Sequence, residues 1–115
     1  MNWAAELLAP LGTVLINDSE FPSSTMPWLW RGSKMIWQKT DKGRVSIEKM
    51  RTLLKPPVKT IVSSFVQYAT GYKQDLETLG KIKGSRFLVV NATQGFGAFP
   101  VDVQRWNADI LMTNS

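Results

Sequence analysis

Phe87-Leu88-Val89-Val90-Asn91-Ala92-Thr93-Gln94-Gly95-Phe96-Gly97 passes from four consecutive apolar residues straight into two amides and a glycine-rich turn. An uninterrupted apolar tetrad is the pattern of a strand buried on both faces; a half-solvated strand would alternate apolar with polar. The turn that follows carries side chains that hydrogen-bond, placed where a buried strand meets solvent.

The same grammar repeats outward from this stretch. Thr13-Val14-Leu15-Ile16, Lys34 to Lys39, Thr60-Ile61-Val62-Ser63 and Asp109 to Thr113 read as four more strands. Between them lie helical patterns. Asn2 to Ala9 sets Trp3, Leu7 and Leu8 on one face and ends at Pro10 and Gly12. Ser23 to Arg31 is helical, with Pro27 near its first turn. Thr40 to Gly43 is a turn. Ser46 is an N-cap ahead of Ile47, Met50, Leu53 and Leu54, and Pro56-Pro57 stops that helix. Tyr72 to Ile82 predicts a helix with Gly84 past its end, and Val101 to Trp106 a short helical segment. Buried strands alternating with helices imply an α/β fold of three layers: a mainly parallel sheet with helices on both faces.

Composition agrees and excludes several chemistries. The chain has 115 residues, 43% apolar and 20% charged, which suits one modest globular domain. With no cysteine and no histidine, a thiolate nucleophile, a zinc site of the usual ligands and a Ser-His-Asp triad are unavailable in this chain. The net charge of +5 comes from scattered residues such as Arg31, Lys42, Arg51 and Lys59, not from a basic arm, so nucleic acid is not an expected partner. No apolar stretch is long enough to span a bilayer, and Met1 to Leu8 does not read as a secretion signal, so a cytoplasmic location is expected.

In parallel sheets, ligands bind beyond the carboxyl ends of the strands. The segments there are Asn17 to Ser24, Ser63 to Thr70, Asn91 to Gly97, and Thr113 to Ser115. They are polar and hold aromatics: Phe21, Phe65 and Tyr68, with the amides of Asn91 and Gln94. An aromatic ligand with polar substituents suits such a crevice. The same residues also suit plain turns and core aromatics, and composition alone does not separate the two.

The motifs add a resemblance. F-L-V-V-N-A-T-Q-G-F-G-A-F-P-V-D-V-Q-R-W-N-A-D-I-L-M-T-N-S, from Phe87 to Ser115, resembles the central signature of the class V aminotransferase and cysteine desulfurase superfamily: an apolar strand, D-A-x-Q, a small-residue turn, P-V-D-V, a spacer and D-[FIL]-x-x-x-S. Val62 to Gly80 is similar to the family's strand, turn and following helix, and Glu20 to Trp28 to its E-H-x-x-N-x-x-P-W segment. Asn2-Trp3-Ala4-Ala5 fits the helix after its phosphate loop.

The resemblance implies a fold and a set of roles. Residues 1–115 would be an internal part of the large, cofactor-binding domain of a pyridoxal-phosphate-dependent transferase of the aspartate aminotransferase-like fold. The cofactor would be pyridoxal 5'-phosphate, the substrate an amino acid, the chemistry transamination or carbon–sulfur lysis, and the parent enzyme a homodimer. Asn91 takes the place of the carboxylate that pairs with the cofactor's ring nitrogen. An amide supplies a hydrogen bond but no negative charge, which implies a less protonated ring and a weaker electron sink. Gln94 matches the glutamine facing the ring's phenolic oxygen. Phe21 falls where many members stack a histidine on the ring. Tyr68 matches a position that contacts the same oxygen, with Gln67 as the competing candidate. Ser115, with Asn114, lies where phosphate contacts begin, while Pro100, Val101 and Asp102 shape the backbone. The family's phosphate loop would precede Met1, and its Schiff-base lysine would follow Ser115. Lys73, Lys81 and Lys83 read as solvated helix positions and do not replace it. The chain alone is therefore expected to be inactive. The alternative is a non-catalytic α/β binding module that keeps the scaffold.

Overall fold

Each of the five apolar runs forms a strand. The computed structural model describes residues 1–68, 70–95 and 99–113. In chain order its elements are α1 (Asn2–Leu8), a 3-10 turn (Ala9–Leu11), β1 (Thr13–Asn17), α2 (Pro22–Trp30), β2 (Met35–Gln38), α3 (Ile47–Leu53), β3 (Val58–Ser64), α4 (Leu76–Ile82), β4 (Phe87–Asn91) and β5 (Ile110–Met112). The strands make one sheet in the order β2-β1-β3-β4-β5, with every neighbouring pair parallel.

Two apolar layers follow from strand alternation. On one face Val14, Ile16, Val62 and Val89 pack with Ala4, Ala5 and Leu8 of α1 and with Trp28 of α2. On the other, Leu15, Ile61, Leu88 and Val90 pack with Met50 of α3, Leu76 and Leu79 of α4, and Trp106. Both faces of the central strands are therefore dry, which is why their sequences do not alternate. The chain leaves β1 through α2 to reach β2, then crosses by α3 on the opposite face to β3. The strand order reverses between β1 and β3, a topological switch point at which the connections diverge and leave a crevice at the carboxyl edge.

Several local details differ from the sequence expectation. The helix expected from Tyr72 begins only at Leu76. Asp75 caps it, accepting from the Thr78 backbone N–H at 3.1 Å. Residues 72–74 instead return along the β3 exit: Val66 bridges Lys73, and the Gln74 N–H donates to the Phe65 carbonyl at 2.8 Å. Those tertiary bonds outweigh helical periodicity. The expected helix from Val101 to Trp106 is a single turn, in which the Asp102 carbonyl accepts from Trp106 N–H at 3.0 Å, and left-handed Asn107 closes it at φ 54°. Lys83 is not solvated. Its Nζ is buried and donates to the Arg86 carbonyl at 2.8 Å and to Asp109 Oδ2 at 3.2 Å. Ser46 caps α3 as expected, accepting from Lys49 N–H at 3.2 Å. No helix among the described residues is long and apolar enough to cross a membrane.

Candidate functional site

A crevice of about 250 Å³ opens at the carboxyl edge beside the switch point, near the small end of the range for ligand pockets. Phe21 and Ser23 reach it from the start of α2, Ser64, Val66 and Tyr68 from the end of β3 and beyond, and Asn91, Thr93 and Gln94 from the end of β4. Phe21, Tyr68, Asn91 and Gln94, spread over 74 positions of sequence, thus converge. Ser115 and Asn114 lie outside the described residues.

The two aromatic rings meet edge to face at the mouth, their centroids 4.9 Å apart and their planes at 84°. Each keeps about half its surface exposed, 49% for Phe21 and 50% for Tyr68. Ring surface is therefore left for a flat ligand to cover. Phe65, grouped with them on sequence grounds, is elsewhere: it is buried on the opposite face, 4.6 Å from the Trp106 ring. Gln67 and Tyr68, the two competing candidates, differ in burial. Gln67 is buried behind the crevice wall with its amide donated to Glu20 at 2.9 Å, whereas Tyr68 lines the space.

Asn91 has a determined polarity. Its Oδ1 accepts from the Thr93 backbone N–H at 3.0 Å, and its Nδ2 donates to Ser24 Oγ, also at 3.0 Å. Ser24 is fully buried on α2, so the amide ties the end of β4 to the helix beneath Phe21.

Below the crevice lies a residue that no role from the sequence had singled out. Glu20 is buried, and all its described donors are neutral. Oε2 accepts from Asn17 Nδ2 at 2.6 Å, from Ser64 N–H at 3.0 Å and from Gln67 Nε2 at 2.9 Å; Oε1 accepts from the Ser64 hydroxyl. The carboxylate pins the ends of β1 and β3 together at the switch point and fixes the chain entering Phe21. The available signal was a charged residue just past a buried strand, with amides and hydroxyls at the neighbouring strand ends.

The residues present fit a substituted aromatic ring: an aromatic wall, an amide donor at the floor and a second amide at the rim. No lysine is among the described lining residues. No cluster of metal-ligating side chains occurs among the described residues.

Comparison with known proteins bears on the family and the fold. The family model described as class V aminotransferase matches residues 1–115. An uncharacterized aminotransferase, YcbU, of Bacillus subtilis (strain 168) is 30% identical over 105 residues, covering 85% of this chain and 27% of that protein. The cysteine desulfurase IscS of Glaesserella parasuis serovar 5 (strain SH0165) is 33% identical over 75 residues, covering 64% of this chain and 18% of that protein. The chain thus spans about a quarter or less of the length of these relatives. The fold superposes on ureidoglycine-glyoxylate aminotransferase from Bacillus subtilis with a TM-score of 0.84 at 19% identity, over 97% of this chain and 30% of that one. It superposes on the cysteine desulfurase CsdA from Escherichia coli with a TM-score of 0.80 at 23% identity, over 96% and 30%. With its parallel sheet and a family match running its whole length, this chain belongs to the class V aminotransferase family, the family of aminotransferases and cysteine desulfurases.

Proposed function

We propose that residues 1–115 form part of the large cofactor-binding domain of a pyridoxal-phosphate enzyme acting on an amino acid, by transamination or by carbon–sulfur lysis, and that the crevice seats the cofactor's ring. The observation that carries this reading is the convergence of Phe21, Tyr68, Asn91 and Gln94 on one ring-sized space at a switch point. When bound, the cofactor supplies an electron sink for bonds at an amino acid's alpha carbon.

The chain's own residues do the binding and orienting. Phe21 covers one face of the ring and excludes water from it. Asn91 donates to the ring nitrogen. Gln94 and the Tyr68 hydroxyl donate to the phenolic oxygen, and Ser115 contributes to the phosphate site. Glu20 holds Phe21 and Ser64 in register beneath them. That the chain by itself binds without turning over belongs to the same proposal. Completion of the site by further chain and by a second subunit belongs to the same proposal, as does a cytoplasmic setting without nucleic acid.

The test is a titration of the purified chain with pyridoxal 5'-phosphate, followed by tryptophan fluorescence and visible absorbance, with Phe21→Ala and Gln94→Ala alongside. Saturable binding that both substitutions weaken is the expected result. Binding that ignores both, or no binding at all, overturns the assignment of the crevice.

A further inference from the structure

We infer that the amino edge of the sheet, opposite the crevice, is a docking surface for an acidic polypeptide segment that also carries apolar side chains. The inference is independent of what the crevice binds.

Topology gathers the charge. Every strand is parallel, so the residues that lead into the strands share one edge although they are far apart in sequence. Arg31 and Lys34 precede β2, Lys55 and Lys59 flank the start of β3, and Lys83 and Arg86 precede β4. The acids at this edge are Glu6, which faces Lys34 across a depression, and Asp109, which leads into β5. Six cations against two acids give the edge four of the chain's five net positive charges. The rest of the surface is close to neutral.

Holding the fold together accounts for half of these cations. α2, α3 and α4 run back from the carboxyl edge, so their C-termini end here, where the helix dipole favours positive charge. Arg31 donates to the Pro27 carbonyl at 3.0 Å, and Arg86 to the Val58 carbonyl at 3.2 Å and the Lys83 carbonyl at 3.3 Å. Lys83 pairs with Asp109. Lys34, Lys55 and Lys59 have no such task. All three are exposed and make no hydrogen bond or ion pair among the described residues. Like charges gathered without partners raise the potential at this edge, and an opposing acidic surface is drawn to it.

Shape and apolar surface select the class of partner. Two depressions flank the turn at Pro10 to Gly12, one of about 460 Å³ beside Arg31 and Lys34, the other of about 370 Å³ beside Lys59 and Arg86. Leu11, 49% exposed, lines the second together with Pro56 and Phe87. Hollows that set ammonium groups around an apolar floor suit inserted side chains, a carboxylate next to a leucine or phenylalanine. A flat bilayer does not enter them, and a phosphodiester backbone, which charge alone satisfies, leaves the apolar floor uncovered.

The probe is a fluorescent octapeptide of six glutamates around one leucine and one phenylalanine, titrated into the purified chain by anisotropy. A single-stranded oligonucleotide and phosphatidylserine vesicles are measured alongside. Saturable peptide binding is expected, weakened at least about tenfold by combined Lys34→Glu and Lys59→Glu and several-fold when salt is raised from about 50 to about 300 mM. Replacing the peptide's two apolar residues by alanine should weaken it at least about threefold. Circular dichroism and pyridoxal 5'-phosphate titration of the double variant should match wild type, since both lysines are exposed and away from the crevice. Absence of peptide binding, binding that the charge reversal leaves unchanged, or tighter binding of the oligonucleotide or the vesicles overturns the inference and leaves the reading of the crevice untouched.

Discussion

The carboxylate of Glu20 accepts from both the backbone N–H and the hydroxyl of Ser64, a residue 44 positions away that belongs to the strand across the switch point. One buried side chain thereby closes the gap between β1 and β3, and the crevice stands on that closure. Removing it strands four donors. Glu20→Ala should destabilise the fold by about 3 kcal/mol, because each buried donor left without a partner costs about 1–3 kcal/mol and part of the site can rehydrate. Glu20→Gln should cost less, since one acceptor oxygen remains. Urea melts followed by circular dichroism check both; equal stabilities for wild type and Glu20→Ala would remove Glu20 from the architecture.

Phe21 offers the opposite case, a residue whose loss should affect the ligand and not the fold. It is half-exposed, and its ring meets that of Tyr68. Phe21→Ala should weaken ring binding about tenfold, from lost aromatic contact of about 0.5–1.5 kcal/mol plus lost apolar cover, with a denaturation midpoint close to wild type. Parallel binding and urea titrations separate the two effects.

Gly80 sits where α4 meets the turn before β5. A Cβ there would lie 1.9 Å from the Trp106 carbonyl oxygen. Alanine gains about 1 kcal/mol of helix propensity over glycine, but the overlap is with backbone, which cannot step aside cheaply. Gly80→Ala should therefore destabilise by a net amount of about 1–3 kcal/mol, read as a lowered urea midpoint. A stabilised variant would show that the turn moves freely.

Lys83 and Asp109 form a pin at the opposite edge of the sheet, where Asp109 Oδ2 also accepts from Leu88 N–H at 2.8 Å. The lysine side chain is 6% exposed and the aspartate 37%. Asp109→Ala leaves the buried ammonium, still bonded to the Arg86 carbonyl, without a counter-charge and the Leu88 N–H without its acceptor, and should cost about 2–3 kcal/mol, at the low end for a buried pair because Asp109 is partly wet. Lys83→Met should cost less, since its partner can face water. A double-mutant cycle in urea tests the order, and an Asp109→Ala variant no less stable than Lys83→Met would contradict it.

Trp3 and Leu7 on α1 and Trp30 on α2 are 81%, 64% and 69% exposed, on two helices that touch. Large apolar groups grouped in this way favour self-association. Trp3→Glu with Trp30→Glu should reduce it several-fold by light scattering without lowering the urea midpoint, because neither ring is in the core. Unchanged scattering would acquit this face.

The sequence by itself determined the element types and most of their order. Continuous apolar runs such as Phe87 to Val90 and Val14 to Ile16 signal strands dry on both faces, and helical spacing between them demands layers above and below. It also named the crevice quartet, because strand ends of a parallel sheet share one edge and because the motifs around Phe21, Tyr68, Asn91 and Gln94 are local strings. What only the tertiary structure decided are relations across distance. Gln67 and Tyr68 are neighbours in sequence, and only packing sent one behind the wall to Glu20 and left the other on the crevice. Tyr72 to Gln74 have helical spacing, yet backbone bonds to Phe65 and Gln67 draw them out of the helix. The polarity of Asn91 and the burial of Lys83 are of the same kind. A side chain's partner is set by which strands lie side by side, and that is a property of the folded sheet which no local pattern encodes.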